Sequence, residues 1–252
     1  MSRKSSKVSM RDYQVEAVNK MKNGCILNGG VGTGKSRTSL AYFYKLHGGE
    51  LNTEYYVKMK KPRDLYIITT ARKRDLLEWD DELLPFNMNT NPKLSIYPDQ
   101  TVIVDSWNNI KKYSNVNGAF FIFDEQRVVG SGAWVKAFLK IAKRNKWILL
   151  SATPGDTWTD YIPVFVANGF YKNKSEFLRE HAVYARYAKF PKIEKFIGTD
   201  RLTYLRRSIL VDMRLKRTTE RHYKDVFVNY DKEKYKEVNK DRWDPYNNVE
   251  RF

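Results

Sequence analysis

A short stretch near the N-terminus has the composition of a phosphate-binding loop. Residues 29–36 read Gly-Gly-Val-Gly-Thr-Gly-Lys-Ser and fit the pattern G-x-x-x-x-G-K-[ST]. Glycines let backbone N–H groups close around phosphate oxygens, and the N-terminus of a following helix adds partial positive charge. In this pattern Lys35 reaches the β- and γ-phosphates, and the hydroxyl of Ser36 ligates Mg²⁺. The residues that we expect to hold the nucleotide are Gly30, Val31, Gly32, Thr33, Gly34, Lys35, Ser36 and Arg37.

An acidic pair follows an apolar run in the middle of the chain. The run Phe120-Phe-Ile-Phe ends in Asp124 and Glu125. A strand that delivers acids at its carboxyl end suits the catalytic site of an open α/β sheet. Asp124 would hold Mg²⁺ through a water molecule, and Glu125 would polarise the attacking water. Such a pair alone is usually a solvated strand end, but with the upstream loop we expect Lys35, Asp124 and Glu125 to be catalytic.

The glycine-rich loop and the acidic pair must be positioned by strands and helices. Continuous apolar runs predict strands at 24–28, 65–70, 101–105, 119–124 and 147–151, as in a parallel sheet covered on both faces. Helical periodicity occupies 35–46 and 131–144. The alternation predicts a doubly wound, mostly parallel α/β sheet with helices on both faces. We expect this domain over 1–168 and a mainly helical extension over 169–252, with a short strand near 225–229.

The charge of the chain indicates a polyanionic partner. Its 46 Lys and Arg residues against 29 Asp and Glu residues give a formal net charge of +17 and an isoelectric point near 9.7. Basic clusters recur at 3–7, 58–63, 72–74, 143–146 and 206–217. A solubilising surface explains any one cluster equally well. The sum favours binding to nucleic-acid phosphates.

Composition excludes several other classes of protein. Of the 252 residues, 42% are hydrophobic and 14% aromatic, which rules out wholesale disorder. No apolar run approaches the roughly eighteen residues that span a bilayer, and no apolar signal core opens the chain, so we expect a cytoplasmic protein with no membrane partner. Cys25 is the one cysteine, and His47, His181 and His222 lie far apart, so we expect no structural zinc.

Four motifs in this order resemble those of superfamily-two helicases. Gln14, in Met10-Arg-Asp-Tyr-Gln14, precedes the glycine-rich loop as the adenine-reading glutamine does in that superfamily. The stretch Asp124-Glu-Gln-Arg127 resembles their DEAD/DEAH box, with Arg127 in place of its final histidine. Ser151-Ala-Thr153-Pro154 resembles their motif III. The fold that this resemblance implies is a RecA-like lobe of a P-loop NTPase.

Within that superfamily the chain is more similar to the Swi/Snf-type translocases. Their motifs Ia and Ib resemble residues 69–79 and 104–110. Residues 205–217 resemble the segment that closes their first lobe, and residues 225–235 look like the strand and helix that follow. The resemblance covers almost the whole chain. A compact version of this kind is typical of phage helicases, for which the host cytoplasm would be the location.

The resemblance implies a role for each matching residue. Gln14, helped by Arg11, would contact the adenine of ATP, and Ser36 and Asp124 would bind Mg²⁺. The residues that would touch the nucleic-acid backbone are Thr70, Lys73, Ser106 and Trp107. The residues that would couple the nucleotide state to the nucleic-acid groove are Arg127, Ser151 and Thr153. Because Arg127 departs from the family's histidine, coupling through that residue is open.

We therefore expect the ATP-binding motor lobe of an ATP-dependent DNA helicase or translocase, with duplex DNA favoured over single-stranded DNA. The sequence contains no second RecA-like domain, so its partner would be lobe 2 of the same longer protein, and the isolated chain would be weakly active. Two interpretations remain beside this one. The chain is a nucleotide-gated DNA-binding module without motor activity, or an ATPase of the AAA+ replication-loader kind. Gln14 and the Ser-Ala-Thr motif count against the last.

Overall fold

Six parallel strands form the central sheet. In chain order they are β1 (Ile26–Asn28), β2 (Leu65–Thr69), β3 (Val102–Ser106), β4 (Phe120–Asp124), β5 (Lys146–Ser151) and, beyond two short strands outside this sheet, β8 (Leu210–Asp212). Their order across the sheet is β3-β2-β4-β5-β1-β8, and each neighbouring pair is parallel. The computed structural model describes residues 7–124, 128, 130–187, 190–215, 224, 227, 229–241, 243–244 and 249–250.

Helices connect and cover these strands. They are α1 (Asp12–Lys20), α2 (Lys35–Leu46), α3 (Ala71–Asp75), α4 (Glu78–Leu83), α5 (Ala133–Arg144), α6 (Trp158–Ala167), α7 (Lys174–His181) and α8 (Thr199–Ile209). Short 3-10 helices occupy Leu84–Phe86, Pro92–Leu94 and Trp107–Tyr113. The remaining two strands, β6 (Ala182–Tyr184) and β7 (Ile193–Phe196), form an antiparallel hairpin between α7 and α8.

The core lies on both faces of the sheet. Strand β4 is buried along its whole length, and its successive side chains point to opposite faces. On one face Phe120 packs against Phe43 of α2, with ring centroids 5.3 Å apart, and on the other Phe123 packs against Phe138 of α5 at 5.0 Å. Burying each such ring stabilises the fold by about 1.5–3 kcal/mol. The predicted parallel sheet with helices on both faces is confirmed, and the fold is a RecA-like α/β fold.

The C-terminal part of the chain contains more strand than the sequence suggested. Strand β8 lies beyond residue 168 and nevertheless pairs with β1, so it forms one edge of the main sheet. The first compact unit of the chain is Met1–Leu215, and the second is Lys216–Phe252. The boundary at 168 stays a prediction.

The second unit is described by a few elements. They are α9 (Lys232–Asp241) and the antiparallel pair β9 (Trp243–Asp244) and β10 (Val249–Glu250). The strand predicted near 225–229 lies largely outside the described residues, and Phe227 and Asn229 are in no strand. Among the residues that the structure describes, no helix is both long and apolar enough to cross a membrane.

Candidate active site

The strands that carry or precede several predicted site residues end at one edge of the sheet, because all six strands are parallel. Asn28, the last residue of β1, is opposite Ser151 of β5 and Asp212 of β8. Asp124, the last residue of β4, is opposite Leu150 of β5. Strand β5 therefore separates the strand before the loop from the strand that ends in the acid. Two strand spacings of about 5 Å each put these two strand ends roughly 10 Å apart.

The glycine-rich loop leads from β1 into α2 and needs its glycines. Gly34 is the N-cap of α2 and has a φ of 76°, in the left-handed region that other residues avoid. A Cβ added there would lie 2.6 Å from Nε2 of Gln14. Gly32 also has a positive φ, of 78°, but a Cβ there would meet no atom within 4 Å. The space beside Gly32 is open, as a site for a phosphate requires.

The polar side chains of the loop differ in their contacts. The Lys35 ammonium donates hydrogen bonds to the carbonyls of Gly29 at 2.7 Å and Gly30 at 2.9 Å, so it is folded back over the loop. Ser36 lies in the first turn of α2, half-buried. The Thr33 hydroxyl donates to the Gly30 carbonyl at 2.9 Å and stiffens the turn.

Two further residues of the predicted nucleotide set differ from these. Val31 is 84% exposed at the tip of the loop. Arg37 forms an ion pair with Glu82 of α4, which ties α2 to its neighbouring helix. Neither the exposure of Val31 nor the ion pair of Arg37 excludes a bound nucleotide. The nucleotide-binding role of both residues stays a prediction.

Helix α1 is docked against the loop, and the adenine contact predicted for Gln14 stays a prediction. Gln14 is buried, at 7% exposed, and its Oε1 accepts a hydrogen bond from the backbone N–H of Arg11 at 3.0 Å. The hydroxyl of Tyr13 donates to the Thr33 carbonyl at 3.0 Å. The amide of Gln14 therefore lies beside Gly34, while Arg11 is exposed just before α1. Tyr13 was not singled out in the sequence, although it adjoins Gln14.

The carboxylate of Asp124 is held in the interior by hydrogen bonds. It is 1% exposed, and its Oδ2 accepts hydrogen bonds from Thr69 Oγ1 at 2.9 Å and from Lys73 Nζ at 3.1 Å. A buried carboxylate is costly unless it is paired and hydrogen-bonded, and these contacts provide both. The indole N–H of Trp107 donates to the backbone carbonyl of Asp124 at 3.0 Å, which fixes the end of β4.

The donor chemistry at this edge fits Mg²⁺. The hydroxyl of Ser36 and the carboxylate of Asp124 are oxygen donors, which Mg²⁺ prefers, and this ion commonly takes only one or two carboxylates beside substrate phosphates. Within the part of the chain that the structure describes, no group of three or more His, Cys, Asp and Glu side chains is arranged as a metal site. Glu125, Gln126 and Arg127 lie outside the described residues, so the roles predicted for Glu125 and Arg127 stay predictions.

The four residues predicted to touch nucleic acid are placed differently from one another. The Thr70 hydroxyl caps α3 by accepting from the backbone N–H of Lys73 at 3.3 Å, and Lys73 itself reaches Asp124. Ser106 and Trp107 are buried, at 2% and 3% exposed, and Trp107 packs against Phe123 with ring centroids 5.5 Å apart. In this structure neither of these two side chains faces solvent, so their nucleic-acid role stays a prediction.

Asp105, which was not among the predicted site residues, is at the centre of a hydrogen-bond network. Its carboxylate accepts hydrogen bonds from Asn109, Tyr113, the backbone N–H of Ser106 and Arg74, at 2.7–3.1 Å. Burial raises the pKa of Asp105, but these four hydrogen bonds outweigh burial and lower it to about 2. The network joins α3 to the end of β3. The signal was present in the sequence, because Asp105 ends an apolar run as Asp124 does.

The Ser-Ala-Thr segment adjoins the loop. The carbonyl of Ser151 accepts from the backbone N–H of Gly29 at 3.2 Å, and its hydroxyl accepts from the N–H of Thr153 at 3.1 Å. Ser151 is buried and Thr153 is exposed. These two hydrogen bonds connect Gly29 of the loop to residues 151–153. The coupling role stays a prediction.

Comparison with known proteins assigns no family to the chain. No protein-family model matches the chain, and no curated protein matches it. One similar solved structure is the crystal structure of the Pyrococcus furiosus Hef helicase domain, with a TM-score of 0.44 and 18% sequence identity. The similarity covers 70% of this chain and 41% of that one, so the chain spans less than half of that structure. The sheet and its two-sided core make this a RecA-like α/β protein with a glycine-rich loop at the carboxyl edge.

Proposed function

We propose that the chain is the ATP-binding motor lobe of an ATP-dependent DNA helicase or translocase of superfamily two. One observation carries the proposal: the loop of residues 29–36 lies between Gln14 and Ser151, on the sheet edge where Asp124 also ends its strand. A buried amide, the glycine-rich loop and the Ser-Ala-Thr segment thus adjoin one another, and a strand-end carboxylate lies on the same sheet edge, although they are far apart in the chain.

Each of these groups has a task in ATP hydrolysis. The loop N–H groups and Lys35 would bind the phosphates, and Gln14, with Arg11, would accept and donate hydrogen bonds to adenine. Bound Mg²⁺, held by Ser36 and Asp124, would neutralise charge on the phosphate oxygens. Glu125 would orient and deprotonate the attacking water. Ser151 and Thr153 would transmit loop movement towards the DNA.

The finer identity of the motor also belongs to the proposal. The resemblance of residues 69–79, 104–110 and 205–217 to Swi/Snf-type translocases supports a translocase of that type, and its compact length would suit an enzyme encoded by a phage and working in the host cytoplasm. Such enzymes bind ATP between two lobes, and an arginine from the second lobe typically raises the rate by about 10³–10⁵. The partners would be DNA and lobe 2 of a longer protein, and this chain alone would hydrolyse ATP slowly.

Binding of Mg-ATP to the chain tests the site. Lys35→Ala should abolish saturable binding in a calorimetric titration, because the phosphates lose their one lysine contact in the loop. Lys45→Ala, on the last turn of the same helix, should bind as the unaltered chain does, since Lys45 contacts Asn19 on the surface. Undiminished affinity of Lys35→Ala would refute the site assignment.

Turnover tests the motor. In a protein that includes the second lobe, Glu125→Gln should bind ATP and lose hydrolysis, and duplex DNA should stimulate the unaltered enzyme more than single-stranded DNA, forked DNA or RNA. Nucleotide-dependent DNA binding without any turnover would instead favour a nucleotide-gated binding module.

A further inference from the structure

The hairpin of β6 and β7 exposes large aromatic side chains, two of which lie in the loop between the strands. Tyr187 is 98% exposed, Phe190 is 74% exposed and Tyr184 is 42% exposed. Exposing such a ring to water is unfavourable, because burying an aromatic ring in a core stabilises a fold. No role proposed above involves residues 182–196.

Basic side chains lie among these rings. Arg186, Lys192 and Lys195 are exposed on the same hairpin, and Glu194 is the one acidic residue among its described residues. An open groove of about 570 Å³ runs along the hairpin, lined in part by Tyr184, Arg186, Tyr187, Lys192 and Glu194; Phe190 lies outside its lining. The groove therefore combines flat aromatic faces with two basic side chains and one acidic one.

The base of the hairpin is fixed to the helical part of the domain. His181 is buried, at 3% exposed, with its Nδ1 2.8 Å from the carbonyl of Ile197 and its Nε2 2.8 Å from the hydroxyl of Tyr171. The backbone N–H of Ile197 also donates to the His181 carbonyl at 2.8 Å. Phe196 packs near Phe177, with ring centroids 6.3 Å apart. The two strands at the base of the hairpin are therefore held in position, and Arg186, Tyr187 and Phe190 lie in the loop between them.

We propose that this hairpin is a binding site for single-stranded nucleic acid. Unpaired bases stack on aromatic side chains, and arginine and lysine beside them take the backbone phosphates. A duplex presents its phosphates, but its base faces are stacked inside the double helix. It would therefore contact the basic side chains of the hairpin without stacking on its aromatic rings. The net charge of +17 favours a polyanion over an uncharged protein surface. The proposal rests on the nucleic-acid partner of the proposed function and adds a second contact to it.

Binding of labelled oligothymidine to the full chain, without nucleotide, tests the site. Tyr187→Ala combined with Phe190→Ala should weaken binding roughly 10-fold or more, because each lost stacking contact typically costs at least a few-fold in affinity. Tyr55→Ala is the matched control, since Tyr55 is also 74% exposed but lies before β2, outside the hairpin. Its affinity should equal that of the unaltered chain.

Salt dependence and a second ligand make the test specific. Arg186→Ala should reduce the slope of log affinity against log salt by about 0.7, the value of one phosphate contact on a single strand. In the double variant, the affinity for a blunt duplex of the same length should fall much less than the affinity for the single strand. Mg-ATP affinity and thermal stability of the variants should be unchanged, because the altered side chains are exposed.

Three results would overturn the proposal: equal oligothymidine affinity in the double variant, an equal loss for the duplex, or phosphatidylserine vesicles that bind the chain through the same two rings. If the unaltered chain binds no nucleic acid at all, the proposed function fails with it. If the chain binds and the double variant binds equally, only the hairpin site fails.

Discussion

The ammonium of Lys73 lies 3.1 Å from the carboxylate of Asp124, and the two residues were predicted to act on different ligands. Lys73 was expected at the nucleic-acid backbone and Asp124 at Mg²⁺. Their side chains are 19% and 1% exposed, so this ion pair is largely shielded from water. A metal bound at Asp124, as proposed above, would compete with the ammonium and would link the position of α3 to the proposed nucleotide site.

Removing the ammonium should destabilise the fold. Lys73→Ala leaves a buried carboxylate with the Thr69 hydroxyl but without this cation, and loss of one partner of a buried pair costs about 3–5 kcal/mol. The partial exposure of Lys73 reduces this, so we expect a loss of about 2 kcal/mol in the free energy of unfolding in urea. Lys112→Ala, at an exposed site, should change it by less than about 0.5 kcal/mol.

The same variant should respond more strongly to magnesium. Mg²⁺ alone should raise the melting temperature of Lys73→Ala more than that of the unaltered chain, since the ion no longer competes with the Lys73 ammonium. Lys73→Ala combined with Asp124→Asn should lose this response. An identical magnesium response in all three proteins would contradict the competition.

Gly34 should be intolerant of a side chain for two separate reasons. Gly34→Ala places a Cβ at a φ of 76° and 2.6 Å from Gln14 Nε2. The left-handed conformation alone costs about 1–2 kcal/mol. Gly169→Ala measures that part by itself, because Gly169 has a φ of 77° and a Cβ added there would meet no atom within 4 Å.

We expect Gly34→Ala to be the more destabilising of the two in thermal unfolding. Adding Gln14→Ala to Gly34→Ala should recover the additional loss of stability, because it removes the Nε2 atom that the new Cβ would contact. If the two glycine variants are equally stable, Gln14 does not pack against the loop as described.

Asp105 should make stability depend on pH in the acid range. Its pKa is about 2 in the folded chain, below the ordinary value of 3.8, so its contribution is fully present above pH 4 and is lost as the pH falls towards 2. The difference corresponds to about 2 kcal/mol. Asp105→Asn should therefore lose less stability than the unaltered chain between pH 5 and pH 2.5, measured by urea unfolding. Asp99→Asn, at an exposed site, should follow the unaltered chain.

Cys25 should report on opening of the nucleotide site. It is fully buried directly before β1, and burial raises the pKa of its thiol to about 11. Reaction with a disulfide reagent at pH 8 should therefore be slow in the folded chain and fast in urea. Mg-ATP should slow it further in the unaltered chain by stabilising the folded state, and should have no effect in Lys35→Ala. Rapid labelling of the folded chain would contradict the burial of β1.

Much of the fold could be predicted from local patterns. The five apolar runs became β1 to β5 because a strand buried on both faces must be apolar throughout. Strand β8 was missed because its short apolar stretch follows directly on the last residue of α8, and only pairing with β1 makes Leu210–Asp212 a strand. The hairpin at 182–196 was missed because its exposed residues have no apolar alternation.

The sequence by itself determined the chemistry that the sheet edge can perform. The glycines, Lys35 and Ser36 are adjacent in the chain, so the loop's pattern is local and readable. The tertiary structure decided which groups share that edge. Lys73 meets Asp124 across 51 residues of chain, and Trp107 turns inwards to the same strand end. Such contacts depend on strand order and on the cost of burying a charge or an indole N–H without a partner, and neither is visible in any local stretch of residues.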